Sequence, residues 1–249
     1  MNAQDHTFFH QNGYLLLGQL FSPQDATRFR AAFDHDRKEW RAMWHSLDSA
    51  YQTVNCDPLI TWPGVDEIIR HPRILAPTEA ILGGPLCLSE ACLRHMAPYD
   101  GEGWQHWHRD RPHWEEHPLR TAYVHAMIYL TDVDESTHCF SISPETADAP
   151  ILDKEAQLQR GGIIDLHGLA GTVVLFNLSV LHTATIRPTQ QERKTVQIYY
   201  GRQDQPNLSN HTTFPARLWR EHPDSETRAF YSVLNPKSRA FAKAFGAAL

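Results

Sequence analysis

His108-Arg109-Asp110, then His182 far downstream and Arg193 eleven residues after it, bring together the side chains of this chain best suited to joint chemistry. Two imidazoles and one carboxylate can occupy one face of a metal ion and leave the opposite positions open. That is the facial arrangement of non-haem Fe(II) oxygenases. A guanidinium set behind such a centre can hold the distal carboxylate of a 2-oxo acid by a two-point, charge-assisted contact. Each residue alone says little, because the chain has sixteen histidines and His222-Pro223-Asp224 repeats the His-x-Asp pattern. The second copy lies near the C-terminus in a polar run with a proline inside the triplet, and reads as solvated loop.

The elements that must position these residues are partly visible. Gly171-Thr172-Val173-Val174-Leu175-Phe176 is a β-branched apolar run after a glycine, a buried strand, and His182 follows it. A polar turn over 187–192 leads to Arg193-Lys194-Thr195-Val196-Gln197-Ile198-Tyr199-Tyr200, which alternates as a returning strand. Folded as an antiparallel pair about that turn, Arg193 falls opposite His182 on one face. Lys194 then points to the other face, and Arg187 stays in the turn. Upstream, Ser22-Pro23-Gln24-Asp25 is a helix start, with Ala26, Phe29, Ala32 and Phe33 forming its apolar face. A second helix is predicted over 65–82, interrupted near Pro72 and Pro77. From Leu86 onward strand-like runs dominate, at 86–96, 123–130, 139–143, 171–176 and 193–200. Whether His125 faces inward depends on a register that sequence cannot fix. Strands separated by turns after a helical layer predict a mainly β fold with flanking helices, a double-stranded β-helix or cupin-like jelly roll. No linker or repeat divides the chain. We expect one domain over 1–249, with a helical layer at about 20–85, a β-helix core at about 86–202, and a C-terminal loop and helix over 203–249.

In this order and spacing the residues resemble the phytanoyl-CoA dioxygenase family of Fe(II)/2-oxoglutarate oxygenases. Trp107-His108-Arg109-Asp110 is similar to the family's W-H-x-D, and His182 with Arg193 is similar to its distal histidine and 2-oxoglutarate arginine. The stretch from Phe8 to Leu17, with its F-x-x-x-G-Y spacing, resembles the family's opening strand leading into a capped helix. His71-Pro72-Arg73-Ile74-Leu75 with Leu82-Gly83-Gly84 resembles its second helix. The resemblance implies Fe(II) held by His108, Asp110 and His182, with 2-oxoglutarate and dioxygen as co-substrates and Arg193 on the distal carboxylate. Gln105 matches a glutamine that several members place against 2-oxoglutarate; its other reading is a plain polar residue at a strand end. His106 has no third residue to pair with in the family pattern. Related halogenases carry Gly or Ala at the carboxylate position, so Asp110 favours hydroxylation. Two departures stand out. Glu135 to Phe140 and Pro144 to Ala147 replace Gly-rich segments that often border the substrate pocket, so substrate cannot be inferred by analogy. Ala184 stands where a serine often touches the co-substrate.

Composition narrows the remaining classes. A net charge of −6 with no basic block gives no footprint for nucleic acid. No leader pattern and no bilayer-length apolar run is present, so we expect a cytoplasmic chain, a monomer or homodimer acting on a small molecule. Cys56, Cys87, Cys92 and Cys139 show no C-x-x-C spacing and read as reduced, packed thiols, with Cys139 a candidate pocket neighbour. Trp104, Trp107 and Trp114, with His106 and His113 between them, are candidates for the pocket mouth or for packing. Desaturation, epimerisation or rearrangement with the same co-substrate remains open. So do a non-catalytic metal-binding β-helix protein and a zinc hydrolase, although the last gives Arg193 no task.

Overall fold

The computed structural model describes residues 1–47 and 49–246. Helix α1 (Ala3–Asn12) is closed by Gly13 at φ 73, and strand β1 (Tyr14–Gln19) starts at once. A side chain at Gly13 would also meet Val180, since an added Cβ would lie 2.3 Å from its Cγ2. The family-like F-x-x-x-G-Y opening is therefore helical up to the glycine and extended only from Tyr14. Helix α2 (Pro23–Glu39) is capped by Ser22 and Asp25 reciprocally, as its sequence predicts.

Strands β2 (His45–Leu47) and β3 (Ser49–Asn55) then form a hairpin inside the stretch expected as the helical layer. Short α3 (Pro58–Thr61) and α4 (Asp66–Ile69) precede α5 (Pro72–Leu82). The helix predicted over 65–82 is thus broken at Arg70-His71, because Pro72 lacks the N–H that continuity requires. Strands β4 (Leu86–Met96), β5 (Trp104–Gln105), β6 (Tyr123–Tyr129) and β7 (Cys139–Ile142) follow. Helix α6 (Lys154–Gly161) leads into β8 (Ile164–Leu166), β9 (Thr172–Asn177), β10 (His182–Ile186) and β11 (Arg193–Arg202). Three short helices, α7 (Ala216–Trp219), α8 (Ser225–Phe230) and α9 (Pro236–Ala244), stand where one C-terminal helix was expected.

The strands make two antiparallel sheets, one ordered β1-β9-β6-β11-β4-β3-β2 and the other β5-β10-β7-β8. Together with the solved structures described below, this establishes the jelly roll with flanking helices. The expected hairpin pairing of His182 with Arg193 is overturned. β10 pairs with β7 and β5, whereas β11 pairs with β4 and β6. The turn between them crosses from one sheet to the other, so the two side chains reach a common space from opposite walls.

Period-2 alternation divides the core in two. On β11, Val196, Ile198 and Tyr200 pack with Phe29, Phe33, Ile74 and Leu82 of the helices. Between them Arg193, Gln197 and Tyr199 face the interior of the roll. β6 behaves alike, with Val124, Ala126 and Ile128 outward and His125 and Met127 inward. The register β6 takes against β9 and β11 answers the question left open for His125. Among the described residues no helix is long and apolar enough to cross a membrane.

His95, on the helix-facing side of β4, and inward His125 are both buried. Burial, helped by Arg37 and opposed by Glu192, pushes His95 from the ordinary 6.5 down to about 4, and burial holds His125 well below it. Both stay neutral in the folded chain, while in the unfolded chain both take up protons as pH falls through 6.5. Their contribution is present above that pH and is lost on descending toward 4. We predict that the urea midpoint of the metal-free protein falls between pH 7 and pH 5, and that His95→Gln flattens the slope.

Candidate active site

The metal-ligand candidates are brought together by backbone hydrogen bonds. His108 and His182 form an isolated antiparallel bridge, each N–H donating to the other's carbonyl at 3.0 Å. Asp110 N–H donates to Leu178 C=O at 3.0 Å, in the turn that precedes β10. The loop carrying His108 and Asp110 is thereby zipped to the start of the strand carrying His182. One ligand atom from each of the three residues lies within 4.8 Å of the others.

Ring orientation is also determined. His108 Nδ1 lies 2.8 Å from the His106 carbonyl, and His182 Nδ1 lies 2.8 Å from the Val180 carbonyl. A carbonyl only accepts, so each Nδ1 carries a proton and each Nε2 is turned inward, where the neutral ring offers a lone pair. Those Nε2 atoms sit 3.4 and 3.6 Å from the two Asp110 oxygens. Phe140 and Phe176, with ring centroids 5.5 and 4.9 Å from that of His182, pack against its imidazole. His108 and Asp110 remain partly open to solvent.

Electrostatics follow this arrangement. Burial opposes ionisation of Asp110, yet the hydrogen bond with His108 and the nearby His182 and His125 hold its carboxyl down at about 2. The same hydrogen bond raises His108. Burial drives His182 down to about 4, leaving it a neutral imidazole. Once His108 releases the Nε2 proton that Asp110 favours, a deprotonated carboxylate and two inward lone pairs suit a divalent ion with three open positions.

Arg193 lines the same chamber from the opposite wall. It is 3% exposed, and among the described residues its guanidinium meets the sulfurs of Met96 and Met127 and the ring of Tyr129, with Nε unpartnered. Thioethers are weak acceptors, so this buried cation is left short of an anion. The donor chemistry present thus fits both Fe(II) and a dicarboxylate co-substrate.

Other candidates fall elsewhere. Gln105 lies outside the chamber lining, its amide donating to Thr185 Oγ1 at 2.7 Å and accepting from Trp107 Nε1 at 3.1 Å. Lys194 faces the helices and pairs with Asp34 and Glu192, while Arg187 pairs with Asp165. Trp104 and His106 border the chamber, whereas Trp114 stacks on His117. Cys139 is buried beside Ser141 and lies outside the lining. His222 Nδ1 accepts from the backbone N–H of Asp224 in an exposed turn. Arg94, Gln52, Gln197 and Tyr199 line the chamber and escaped sequence reasoning. The available signal was polarity at alternate positions in strands otherwise apolar enough to be central.

A model of the family described as phytanoyl-CoA dioxygenase matches residues 9–195. The chain belongs to this family. It is accordingly a non-haem iron, 2-oxoglutarate-dependent oxygenase. L-proline trans-4-hydroxylase of Streptomyces griseoviridis is 24% identical over 232 residues, covering 78% of this chain and 84% of the relative. The solved structure of EctD from S. alaskensis with bound Fe superposes with a TM-score of 0.71 at 17% identity, covering 92% of this chain and 86% of that one. The 2-oxoglutarate-dependent carbocyclase SnoK from nogalamycin biosynthesis gives 0.69 at 17% identity, covering 82% and 85%.

Arg109, between the two loop ligands, points away from them. It is clamped to buried Glu145 and donates to Ser179 C=O at 2.7 Å, which anchors the ligand loop to the turn before His182. Glu145→Ala strands that guanidinium, and we predict a loss of about 3 kcal/mol in urea unfolding together with weakened iron binding.

Proposed function

We propose that His108, Asp110 and His182 hold Fe(II), that Arg193 holds the distal carboxylate of 2-oxoglutarate, and that the enzyme hydroxylates a small organic molecule. The observation that carries this reading is the pairing of two inward Nε2 atoms and one carboxylate with a buried arginine that no carboxylate among the described residues neutralises. When bound, iron with 2-oxoglutarate supplies the oxidative chemistry by which dioxygen is directed at a substrate C–H bond. The protein's part is orientation and exclusion of water. The His106 and Val180 carbonyls keep both imidazoles in the metal-binding tautomer. The planar fork of Arg193 sets the direction of the co-substrate better than an ammonium would. Phe140, Phe176 and Met127 keep the chamber wall apolar around it.

Asp110 fills the position that a halide would need, which favours hydroxylation over halogenation. The hydroxylase relative is consistent with that outcome. The site is that of a monomer or homodimer in the cytoplasm, a reading supported by four free thiols.

Anaerobic protein loaded with Fe(II) and titrated with 2-oxoglutarate is expected to develop the visible charge-transfer band of the chelate. His182→Ala abolishes the band. Arg193→Gln raises the half-saturating concentration by about tenfold or more, the worth of a lost charge-assisted contact. No band in wild type at confirmed iron occupancy would overturn the reading.

A further inference from the structure

Arg94 is a second guanidinium lining the chamber, with no carboxylate paired to it among the described residues. It sits on β4, paired with Thr195 of β11 and Val54 of β3, and pleats to the same side as Met96, which touches Arg193. Its Nε is buried without a hydrogen-bond partner, and among the described residues no carboxylate forms an ion pair with it. Arg94 lies where two cavities meet. The inner one, about 210 Å³, holds the metal ligands and Arg193; the outer one, about 740 Å³, opens beyond Leu47, Arg94, Asp110 and Tyr199, which line both. Small-molecule sites usually occupy about 300–1,000 Å³, so the inner chamber suits the co-substrate and the outer cavity the primary substrate.

Charge sharpens the point. Among the described residues lining the inner chamber, the guanidinium and carboxylate groups are Arg94, Arg193 and Asp110. Iron and two guanidiniums against one carboxylate leave three positive charges, of which dianionic 2-oxoglutarate removes two. One stays over in a space where an unpaired charge is costly. Among its described lining residues the outer cavity has no anion to spare: Asp57 pairs with Lys237 at 2.7 Å, and Glu90, which accepts from Ser209, is matched in number by the Arg111 guanidinium, which donates to the Leu208 carbonyl.

We propose that Arg94 is the specificity-determining contact for the primary substrate, and that this substrate carries one carboxylate held by the Arg94 guanidinium between the outer cavity and the iron. A single residual charge matches a monocarboxylate better than a phosphate dianion. The planar, two-point fork matches it geometrically. The inference rests on the assignment of Arg193 to 2-oxoglutarate. Two unpartnered arginines otherwise compete for one co-substrate.

The test uses full-length protein loaded anaerobically with Fe(II) and 2-oxoglutarate, in wild type, Arg94→Gln, Arg94→Lys and Arg193→Gln. The chelate band reports folding and co-substrate binding independently of turnover. It should form in Arg94→Gln within about threefold of the wild-type half-saturation, while Arg193→Gln shifts it by about tenfold or more. A panel of small aliphatic, amino and aromatic acids is then added beside the matching primary amides, reading perturbation of the band and the thermal midpoint. Acids, and not amides, are expected to perturb wild type. The response should vanish in Arg94→Gln and persist weakened in Arg94→Lys. Loss of the band itself in Arg94→Gln but not in Arg193→Gln would reassign Arg94 to the co-substrate and overturn the proposal. Amides acting as well as acids, an acid response that survives Arg94→Gln, or no acid response in wild type would each overturn it too. Absence of the band in wild type is a separate result and strikes the iron and 2-oxoglutarate assignment beneath it.

Discussion

A strand buried on both faces must send every second side chain into the interior, and this molecule is organised around that constraint. β6, β9 and β11 lie in the middle of the larger sheet with helices on one side and the roll's interior on the other. Ordinary packing would make both faces apolar. Here the helix-facing positions are apolar, while the inward ones include Arg193, Gln197, His125 and, on neighbouring β4, Arg94. Buried polar groups persist only when paired, or when a ligand pairs them. The inner wall of the sheet is therefore written for bound molecules as well as for cohesion.

The opposite wall holds the metal candidates by different means. His108 and Asp110 sit on an irregular segment, which has no sheet of its own to orient them. The reciprocal backbone bridge to His182, the Asp110–Leu178 bond and the Arg109–Glu145 clamp supply that orientation. The carbonyls of His106 and Val180 then choose the tautomers. Main-chain groups thus do most of the positioning. Side-chain identity matters chiefly at the three ligand positions and at the Arg109–Glu145 clamp, whose guanidinium also holds the turn before β10.

Electrostatic balance links the two walls. Among the described residues Asp110 is the one carboxylate lining the inner chamber; beside it burial keeps His182 neutral, while the Asp110 carboxylate favours the protonated form of metal-free His108. Burial lowers the pKa of Arg193, a sign of how poorly the metal-free interior compensates its charge. A carboxylate bound beside Arg193 would relieve that cost.

The grouping of His108, Asp110, His182 and Arg193 in one chamber was legible in the sequence, because the residue types that metal ligation and carboxylate recognition would demand carry their spacing with them. The capped start of α2 and the alternating runs of β6, β9 and β11 were legible too, since capping and pleating are local. Spacing misled about the hairpin: β10 and β11 are consecutive, but the strong pairing partners of β11 are β4 and β6, far away in the chain. Gln105 had two readings by position, a co-substrate contact or a plain polar residue at a strand end, and its amide is turned toward Thr185 and Trp107. Arg94 lay unnoticed in a strand-like run, because nothing local distinguishes a cation aimed into a cavity from one aimed at water. The sequence by itself determined the chemistry on offer. Only the tertiary structure decided which of those groups share a cavity, and which charges in it lack a partner, because strand partnership and burial are set by contacts between residues remote in sequence.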